Sequence, residues 1–224
     1  MENSYRNPEF IKDALESGNH RGVIGGMWDT IGRWQFDYMK AEGLKPDDKL
    51  VDIGCGSLRG GVHFLEYLDA FNYFGFDLNF ELIKFGLEKE VSETTKDKKI
   101  NPNSFHAHDR FLFPEAWKNF DAAISVSLFT HLNYNSMKQC LLRTKNILRP
   151  GAIYHTTIFT AEKDNLLKPV VQHSEVTSYY HQDPFHYSYE DVLHLAYSTG
   201  FKLLDILDVN HPRNQKMAQF QLRI

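Results

Sequence analysis

The spacing of hydrophobic positions predicts alternating strands and helices from residue 48 onwards. Short apolar runs bounded by glycine, proline or acidic residues predict strands, and apolar residues that recur every three or four positions predict helices. The predicted strands cover 49–53, 72–77, 104–107, 120–126, 152–160, 201–209 and 217–224. The predicted helices cover 58–68, 80–90, 136–148 and 189–198, the last capped by Ser188 and ended by Gly200. This order is typical of a largely parallel sheet covered on both faces by helices.

Two segments lie outside this alternation. Residues 1–47 contain two predicted helices, 9–16 and 28–41, and the second is apolar on more than one side. It either caps the mouth of a ligand site or covers one edge of the sheet. Residues 161–187 predict a long irregular loop, rich in aromatic side chains with polar tips. Such a loop either closes over a substrate as a lid or seals the edge of the domain.

Composition is that of an ordinary globular domain. The chain has 224 residues, of which 42% are hydrophobic and 24% are charged, and no apolar run approaches the roughly 20 residues of a membrane span. The first residues lack the layout of a secretory signal. With only two cysteines, Cys55 and Cys140, a disulfide framework is not expected and a cytoplasmic location is favoured. The net charge of −4 argues against nucleic acid as a partner, because binding to phosphates needs a basic surface.

The segment 50–61 carries the strongest functional signal. An apolar run that contains Asp52 is followed at once by a glycine-rich turn and a predicted helix, which lets the backbone approach a small cofactor. A dinucleotide fingerprint needs glycine at the position of Arg59, whereas the third glycine here is Gly60. Asp52 lies two residues before Gly54, where it would repel a pyrophosphate and attract an ammonium or sulfonium group. The loop therefore indicates a zwitterionic ligand that carries positive charge.

This segment resembles the first motif of the class I S-adenosylmethionine-dependent methyltransferases, an acid followed by Gly-x-Gly-x-x-x-Gly. The resemblance implies a doubly wound, Rossmann-like α/β fold, with a mostly parallel seven-stranded sheet, an antiparallel last strand and an N-terminal helical cap. It implies S-adenosylmethionine as cofactor, with its methionine half on the glycine loop and its amino group near the acid. The expected cofactor contacts in this part are Trp28, Asp52, Gly54, Cys55, Gly56 and Ser57.

Two further acids follow predicted strands. Asp77, with Leu78 after it, ends the second strand 25 residues after Asp52, and a carboxylate there can accept hydrogen bonds from both ribose hydroxyls. NAD-binding folds use the same acid, so Asp77 alone does not separate the two cofactors. For Asp109, after the third strand, the resemblance implies a bond to the adenine amino group, while the backbone of the neighbouring Arg110 meets a ring nitrogen.

The segment 120–132 resembles the family's fourth motif, in which the strand end passes under the methyl-bearing sulfur. Ser125 and Leu128 are therefore expected to line the cofactor. His131 follows where many members present a residue to the substrate, and an imidazole there could take a proton near neutral pH. A histidine that only bonds the backbone at a helix start fits the pattern equally well. His155 is a second candidate base, expected to point into the pocket beneath the 161–187 loop.

The sequence thus predicts one methyltransferase domain over residues 1–224, with a helical cap at 1–47, a core at 48–224 and a candidate lid at 161–187. The predicted acceptor is a small molecule or carbohydrate, methylated at oxygen or nitrogen. The eleven histidines show no metal-ligand spacing, so no metal is expected. A nicotinamide-dependent oxidoreductase and a non-catalytic S-adenosylmethionine-binding module remain alternatives, and no membrane or nucleic-acid partner is expected.

Overall fold

A computed structural model of the chain describes residues 4–174 and 176–223. The chain divides into two compact units, one within residues 2–109 and the other within residues 110–224. Position 224, the end of the last predicted strand, lies outside the described residues. No helix in the described part of the chain is long and apolar enough to cross a membrane.

The first unit is a parallel three-stranded sheet with helices before, between and after its first two strands. Strand β2 pairs in parallel with both β1 and β3, and all four residues of β1 are buried, as expected for a strand covered on both faces. The strands are β1 (Leu50–Ile53), β2 (Tyr73–Asp77) and β3 (Phe105–Ala107). The helices are α1 (Pro8–Glu16), α2 (His20–Val23), α3 (Trp28–Ala41), α4 (Gly61–Tyr67), α5 (Phe80–Glu90) and α6 (Glu93–Lys99).

Side-chain caps explain where several of these helices begin. The Asn7 side chain accepts from the backbone N–H groups of Glu9 and Phe10, and Asn79 accepts from the N–H of Glu81. Helix α3 differs, because its first residue follows Met27, which has a left-handed φ of 48° and makes no side-chain cap. The start of α3 must therefore be held by other groups.

The second unit is a mixed sheet. Strands β4 and β5 pair in parallel, whereas β10 runs antiparallel to both β5 and β9. A short strand, β8, adds in parallel to the end of β5. The strands are β4 (Phe120–Ser125), β5 (Leu148–Thr160), β6 (Val170–His173), β7 (Val176–Ser178), β8 (His186–Tyr187), β9 (Phe201–Asp208) and β10 (Lys216–Leu222). The helices are α7 (Tyr134–Thr144) and α8 (Tyr189–Thr199).

The boundaries of α7 differ from the prediction. The helix begins two residues earlier than predicted, because the Asn133 side chain caps it by accepting from Ser136 N–H. It ends at Thr144, and the predicted stop at 149–151 lies instead inside β5, whose pairing with β4 is irregular between Phe120 and Ala122. At α8 the predictions are confirmed, since Ser188 makes a capping box with Asp191 and Gly200 ends the helix in the left-handed region.

The segment 161–187 is more regular than predicted. It contains the antiparallel pair β6–β7 and then β8, which extends the main sheet. A buried polar cluster holds this segment together. Within it, Gln172 Nε2 donates to Ser178 Oγ at 2.9 Å, Ser178 Oγ contacts His186 Nδ1 at 2.8 Å, and His186 Nε2 contacts the Leu166 carbonyl at 2.8 Å. The prediction of an irregular loop was therefore wrong in this respect.

Candidate active site

The glycine loop between β1 and α4 is folded by its backbone. Gly54 and Gly56 have left-handed φ values of 86° and 55°, which glycine adopts without the cost of a side chain. The N–H groups of Gly54 and Cys55 both donate to the Phe76 carbonyl, at 2.7 Å and 3.1 Å. The loop is thereby bonded to the end of β2, the strand that carries Asp77.

Asp77 is fixed by the same loop. Its Oδ2 accepts from the Gly56 N–H at 2.8 Å, and its Oδ1 accepts from the Asn79 N–H at 3.0 Å. Burial raises the pKa of this carboxyl, and the backbone N–H groups of Asn79, Gly56 and Leu78 oppose that rise. Each carboxylate oxygen has a second lone pair, so a carboxylate held in this way can still accept from hydroxyl groups.

Asp52 lies deeper than the sequence suggests. Its side chain is buried and accepts a hydrogen bond of 2.9 Å from the Tyr73 hydroxyl. Its pKa is raised to about 7, chiefly by burial. The hydrogen bond from Tyr73 and the charge of Arg59 act to lower the pKa, and the charge of Asp77 acts to raise it. A positively charged group bound beside Asp52 and Asp77 would favour the ionised form of both carboxyls and offset the effect of burial on their pKa values. The predicted bond to the cofactor's amino group stays a prediction.

The side chains of the loop itself face protein. Cys55 is buried and burial raises the pKa of its thiol, while the fully buried Ser57 Oγ donates to the His20 carbonyl at 3.4 Å. A Cβ at Gly56 would come within 2.9 Å of Ile24 Cγ2, so the space beside this glycine is filled by the chain. Any cofactor contact of Cys55, Gly56 or Ser57 would therefore come from the backbone.

The other candidates of the first unit adjoin this cluster through neighbouring residues, since the His108 N–H donates to the Asp77 carbonyl at 3.1 Å and the His20 carbonyl accepts from Ser57 Oγ. Trp28 opens α3, with the His20 ring edge-on at 5.9 Å and the Arg21 guanidinium 4.6 Å from its ring centre. Asp109 is half exposed, 3.3 Å from His108 Nδ1 and 3.9 Å from Arg6 Nη1. Arg110, the first residue of the second unit, is exposed. The structure thus brings together Asp52, the glycine loop and Asp77.

In the second unit, Ser125 ends β4 with its side chain in the core. Its Oγ lies 2.5 Å from the Tyr154 hydroxyl, which is also 3.5 Å from Cys140 Sγ. Ser125 is fully buried, so the predicted contact through its side chain is not available and only its backbone could meet a cofactor. Leu128, also predicted, is half buried just before the short 3₁₀ turn Phe129–His131.

Ser127 fixes the turn that follows β4. It has a left-handed φ of 63°, and its N–H donates to Thr157 Oγ1 at 2.7 Å. Its hydroxyl is bonded to the buried Gln215 amide, and its carbonyl accepts from Thr130 Oγ1 at 2.9 Å. A non-glycine residue in this region is strained and persists only where its surroundings determine it. Here three side-chain hydrogen bonds do so.

His131 is held by a carboxylate that the sequence analysis missed. Its Nδ1 lies 2.7 Å from Asp183 Oδ1. Both side chains are partly buried, with 32% of His131 and 25% of Asp183 exposed. The Phe185 N–H donates to the Thr130 carbonyl at 2.7 Å, which ties the two segments together beside the pair. His131 and Asp183 are 52 positions apart in the sequence, so no local spacing could have revealed this contact.

His155 lies within the sheet, on β5. Its register neighbours are Ile124 on β4 and Gln219 on β10, and the side chain is 3% exposed. Burial lowers its pKa to about 4, so the ring is neutral at physiological pH. The 161–187 segment joins β5 at Phe159 and Thr160, four residues further along the strand. The structure therefore provides no support for His155 as a base beneath that segment.

Comparison with known proteins identifies a methyltransferase domain. The profile of a family described as "Methyltransferase domain" matches residues 51–156, a range that contains the glycine loop, Asp77 and His131. Residues 51–156 are therefore a methyltransferase domain, in agreement with the resemblance to the class I S-adenosylmethionine-dependent methyltransferases. Its cofactor is S-adenosylmethionine, and the oxidoreductase and non-catalytic alternatives are set aside.

Solved methyltransferase structures share the fold at low sequence identity. Magnesium protoporphyrin IX methyltransferase from Synechocystis PCC 6803, with bound cofactor, aligns with a TM-score of 0.65 at 10% identity, covering 99% of this chain and 98% of that one. A 1,6-didemethyltoxoflavin-N1-methyltransferase from Burkholderia thailandensis aligns at 0.63 and 16% identity, covering 100% and 92%. A Haloferax volcanii methyltransferase in complex with the activator Trm112 aligns at 0.65 and 14% identity, covering 96% and 98%. The predicted doubly wound α/β methyltransferase fold is confirmed.

The residues of the first unit fit this cofactor. A sulfonium and an ammonium group would favour the ionised forms of the buried Asp52 and Asp77 side chains. The carboxylate of Asp77, at the end of β2, can accept hydrogen bonds from ribose hydroxyls. The positive φ values of Gly54 and Gly56 allow a close backbone approach. When bound, S-adenosylmethionine supplies the methyl group. The individual contacts of the predicted residues stay predictions.

Proposed function

We propose that this methyltransferase transfers a methyl group to a hydroxyl oxygen of a small molecule or carbohydrate, with His131 as the base. The observation that carries the proposal is the 2.7 Å contact between His131 Nδ1 and the Asp183 carboxylate. Nitrogen is the alternative acceptor atom.

The pair has the chemistry that a hydroxyl acceptor needs. An ionised carboxylate only accepts, so Asp183 favours the tautomer in which Nδ1 carries the proton and donates it. The lone pair is then on Nε2, the nitrogen that would take the acceptor's proton. The charge of Asp183 also stabilises the imidazolium that forms. A neutral amine or a thiolate does not require such a base, because each already has a reactive lone pair.

The turn that carries His131 is preorganised. Ser127 is bonded to Thr157 and Gln215, and Thr130 is bonded to Ser127 and Phe185. A base held by supporting hydrogen bonds needs less reorganisation when it acts, which is how positioning lowers a reaction barrier. This degree of support favours a role for His131 beyond bonding the backbone at a helix start.

Three observations support a small acceptor rather than a macromolecule. The chain carries a net charge of −4. Two structurally similar enzymes are described as acting on magnesium protoporphyrin IX and on 1,6-didemethyltoxoflavin. The segment before α8 has stacked and edge-on aromatic rings, with Phe185 and Tyr180 6.4 Å and 6.3 Å from Tyr187, and such rings bind organic molecules. We retain this segment as the candidate lid.

We also propose that residues 1–224 work as one methyltransferase domain in the cytoplasm. The family match at 51–156 includes residues of both units, and the Haloferax and Burkholderia structures cover 96% and 100% of the chain. Both cysteines are free and buried, which is compatible with a reducing compartment.

The test is turnover with a panel of phenols, sugars and amines, measured as S-adenosylhomocysteine formed, with the methylated atom identified by NMR. We expect His131→Ala to lower kcat for a hydroxyl acceptor by ~10²–10⁴-fold, the usual contribution of a general base, with cofactor affinity unchanged. His194→Ala, an exposed histidine of α8 outside the candidate lid, is the matched control and should retain its kcat. Normal turnover by His131→Ala, or methylation at nitrogen, would overturn the proposal.

A further inference from the structure

A strap of the chain before α3 lies directly on the glycine loop. We define the strap as residues 19–27. Its Ile24 side chain fills the space beside Gly56, and its His20 carbonyl accepts from Ser57 Oγ. The strap therefore covers the backbone on which the methionine half of the cofactor is expected.

Arg59 makes the shortest of these contacts. Its Nη1 donates to the Gly26 carbonyl at 2.9 Å and to the Ile24 carbonyl at 3.3 Å. The side chain is only 6% exposed. A buried guanidinium is costly, and beside a site for a cationic cofactor it also opposes ligand binding by like-charge repulsion. Its charge interacts favourably with the buried Asp52 carboxyl, whose pKa it lowers, and its Nη1 is bonded to the two carbonyls of the strap.

The strap needs such a restraint. Gly25, Gly26 and Met27 are three consecutive residues with left-handed φ values of 90°, 64° and 48°. The last is not glycine, and it begins α3 without a side-chain cap. A conformation of this kind persists only where other groups hold it. The two bonds from Arg59 to the Ile24 and Gly26 carbonyls connect this run to the glycine loop.

The opposite end of the strap has a second anchor, at the end of α5. His20 Nε2 lies 2.6 Å from Glu90 Oε1, and Arg21 makes two bonds to the same carboxylate, at 2.8 Å and 2.7 Å. These bonds lower the pKa of Glu90, and the bond from Arg21 has the largest effect. The strap is thus held at both ends, and the shorter of its hydrogen bonds to residues 54–59 are those of Arg59.

We propose that the strap gates entry and exit of S-adenosylmethionine, and that Arg59 is the positioning residue that keeps it closed on the glycine loop. Loss of the Arg59 bonds lets the strap open more often, so the cofactor leaves faster. The proposal rests on the cofactor lying on this loop and is independent of the acceptor and of His131.

The test compares Arg59→Met, which keeps the length but loses the donors, with Arg59→Lys, which restores a charged donor. Hydrogen bonds to a charged group contribute about 1.5–3 kcal/mol, so we expect Arg59→Met to speed cofactor dissociation by about 10- to 100-fold. Stopped-flow displacement of S-adenosylmethionine gives the rate, and hydrogen exchange at residues 19–27 reports strap opening. Arg59→Lys should recover a substantial part of both effects.

Two further readouts separate gating from a general structural role. KM for the cofactor should rise in Arg59→Met, while kcat at saturating cofactor should not fall. The control is Arg33→Met, an exposed arginine of α3 paired with Asp37, and it should leave cofactor dissociation unchanged. A folded Arg59→Met protein with the dissociation rate of the wild type overturns the proposal. If Arg59→Met does not fold, Glu90→Gln, which weakens the other anchor, must speed dissociation for the proposal to stand.

Discussion

The glycine loop and the His131 turn both follow a strand, but they are built differently. The loop is shaped by backbone bonds to the next strand, with Gly54 and Cys55 bonded to Phe76 and Gly56 bonded to Asp77. The His131 turn is shaped by side chains from distant segments, since Asp183 is 52 residues away and Gln215 is 88 residues from Ser127. A backbone-built site tolerates changes of side chain except where glycine or the strand-end acid is required. A side-chain-built site can lose one partner and keep its fold.

The largest expected effect is the loss of cofactor binding in Gly56→Val. The substitution forces a branched side chain to φ 55° and places its Cβ within 2.9 Å of Ile24. Strain and overpacking of this kind cost about 1–3 kcal/mol each, so we expect at least about 100-fold weaker binding by calorimetry. Gly43→Val is the matched control, because Gly43 has φ 93° and open space around it. Its cofactor affinity should not change, and equal loss in both variants would contradict this account.

Two buried titratable groups, one in each unit, respond to pH in opposite senses. Burial raises the pKa of Asp52 to about 7 and lowers that of His155 to about 4. The folded state therefore holds a proton on Asp52 that the unfolded chain has lost, and this group's stabilisation falls as pH rises towards 7. The stabilisation from a neutral His155 is present above the unfolded pKa of about 6.5 and is lost as pH falls towards 4.

Asp52→Asn isolates the first of these effects. The amide oxygen can still accept from Tyr73, and no charge has to be buried. We expect the variant without cofactor to be more stable than the wild type at pH 8, by at most about 4 kcal/mol, with little difference near pH 4. Urea unfolding at pH 4, 6 and 8 measures this. Parallel pH profiles would mean that Asp52 is not neutralised by burial.

The next effect is on cofactor affinity through Asp77. Removing a carboxylate expected to accept from both ribose hydroxyls should weaken binding by roughly 2–4 kcal/mol, the range for paired hydrogen bonds to a charged group. Asp77→Ala also frees the N–H groups of Gly56 and Asn79, so Asp77→Asn is needed to separate the two losses. Asp208→Ala, which removes an exposed carboxylate of β9 paired with Lys216, is the control and should leave cofactor affinity unchanged. An unchanged affinity in Asp77→Ala would remove Asp77 from the cofactor site.

Local features account for what could be predicted from the sequence. The bounds of α3 and α5, and the caps of α8, agree with the predictions because helical spacing and capping residues lie within a few positions of each other. The glycine loop and Asp77 are equally local, since they occupy the ends of neighbouring strands. The β6–β7 pair was missed although two β-branched runs separated by two residues are a hairpin signal.

Non-local features could not be predicted. The buried residues of β4 do not alternate, so nothing in its pattern shows that Ser125 faces the core. The Asp183 carboxylate meets His131 only because β7 and β8 return the chain to the end of β5. The fold thus follows from local patterns, whereas the partners of the candidate base depend on tertiary contacts. Asp183 is therefore the residue whose role most needs measurement.

The smallest of the four effects is expected for Asp183→Asn. The variant keeps the shape of the side chain but loses the charge that orients His131, and a charge-assisted hydrogen bond of about 1.5–3 kcal/mol corresponds to a fall in kcat of about 10- to 100-fold. Cofactor affinity should not change, because the contact lies at the His131 turn and not at the glycine loop. The decisive measurement is the double variant His131→Ala with Asp183→Asn. If Asp183 acts through His131, adding Asp183→Asn to His131→Ala should cost little more, whereas additive losses would show that Asp183 meets the acceptor independently.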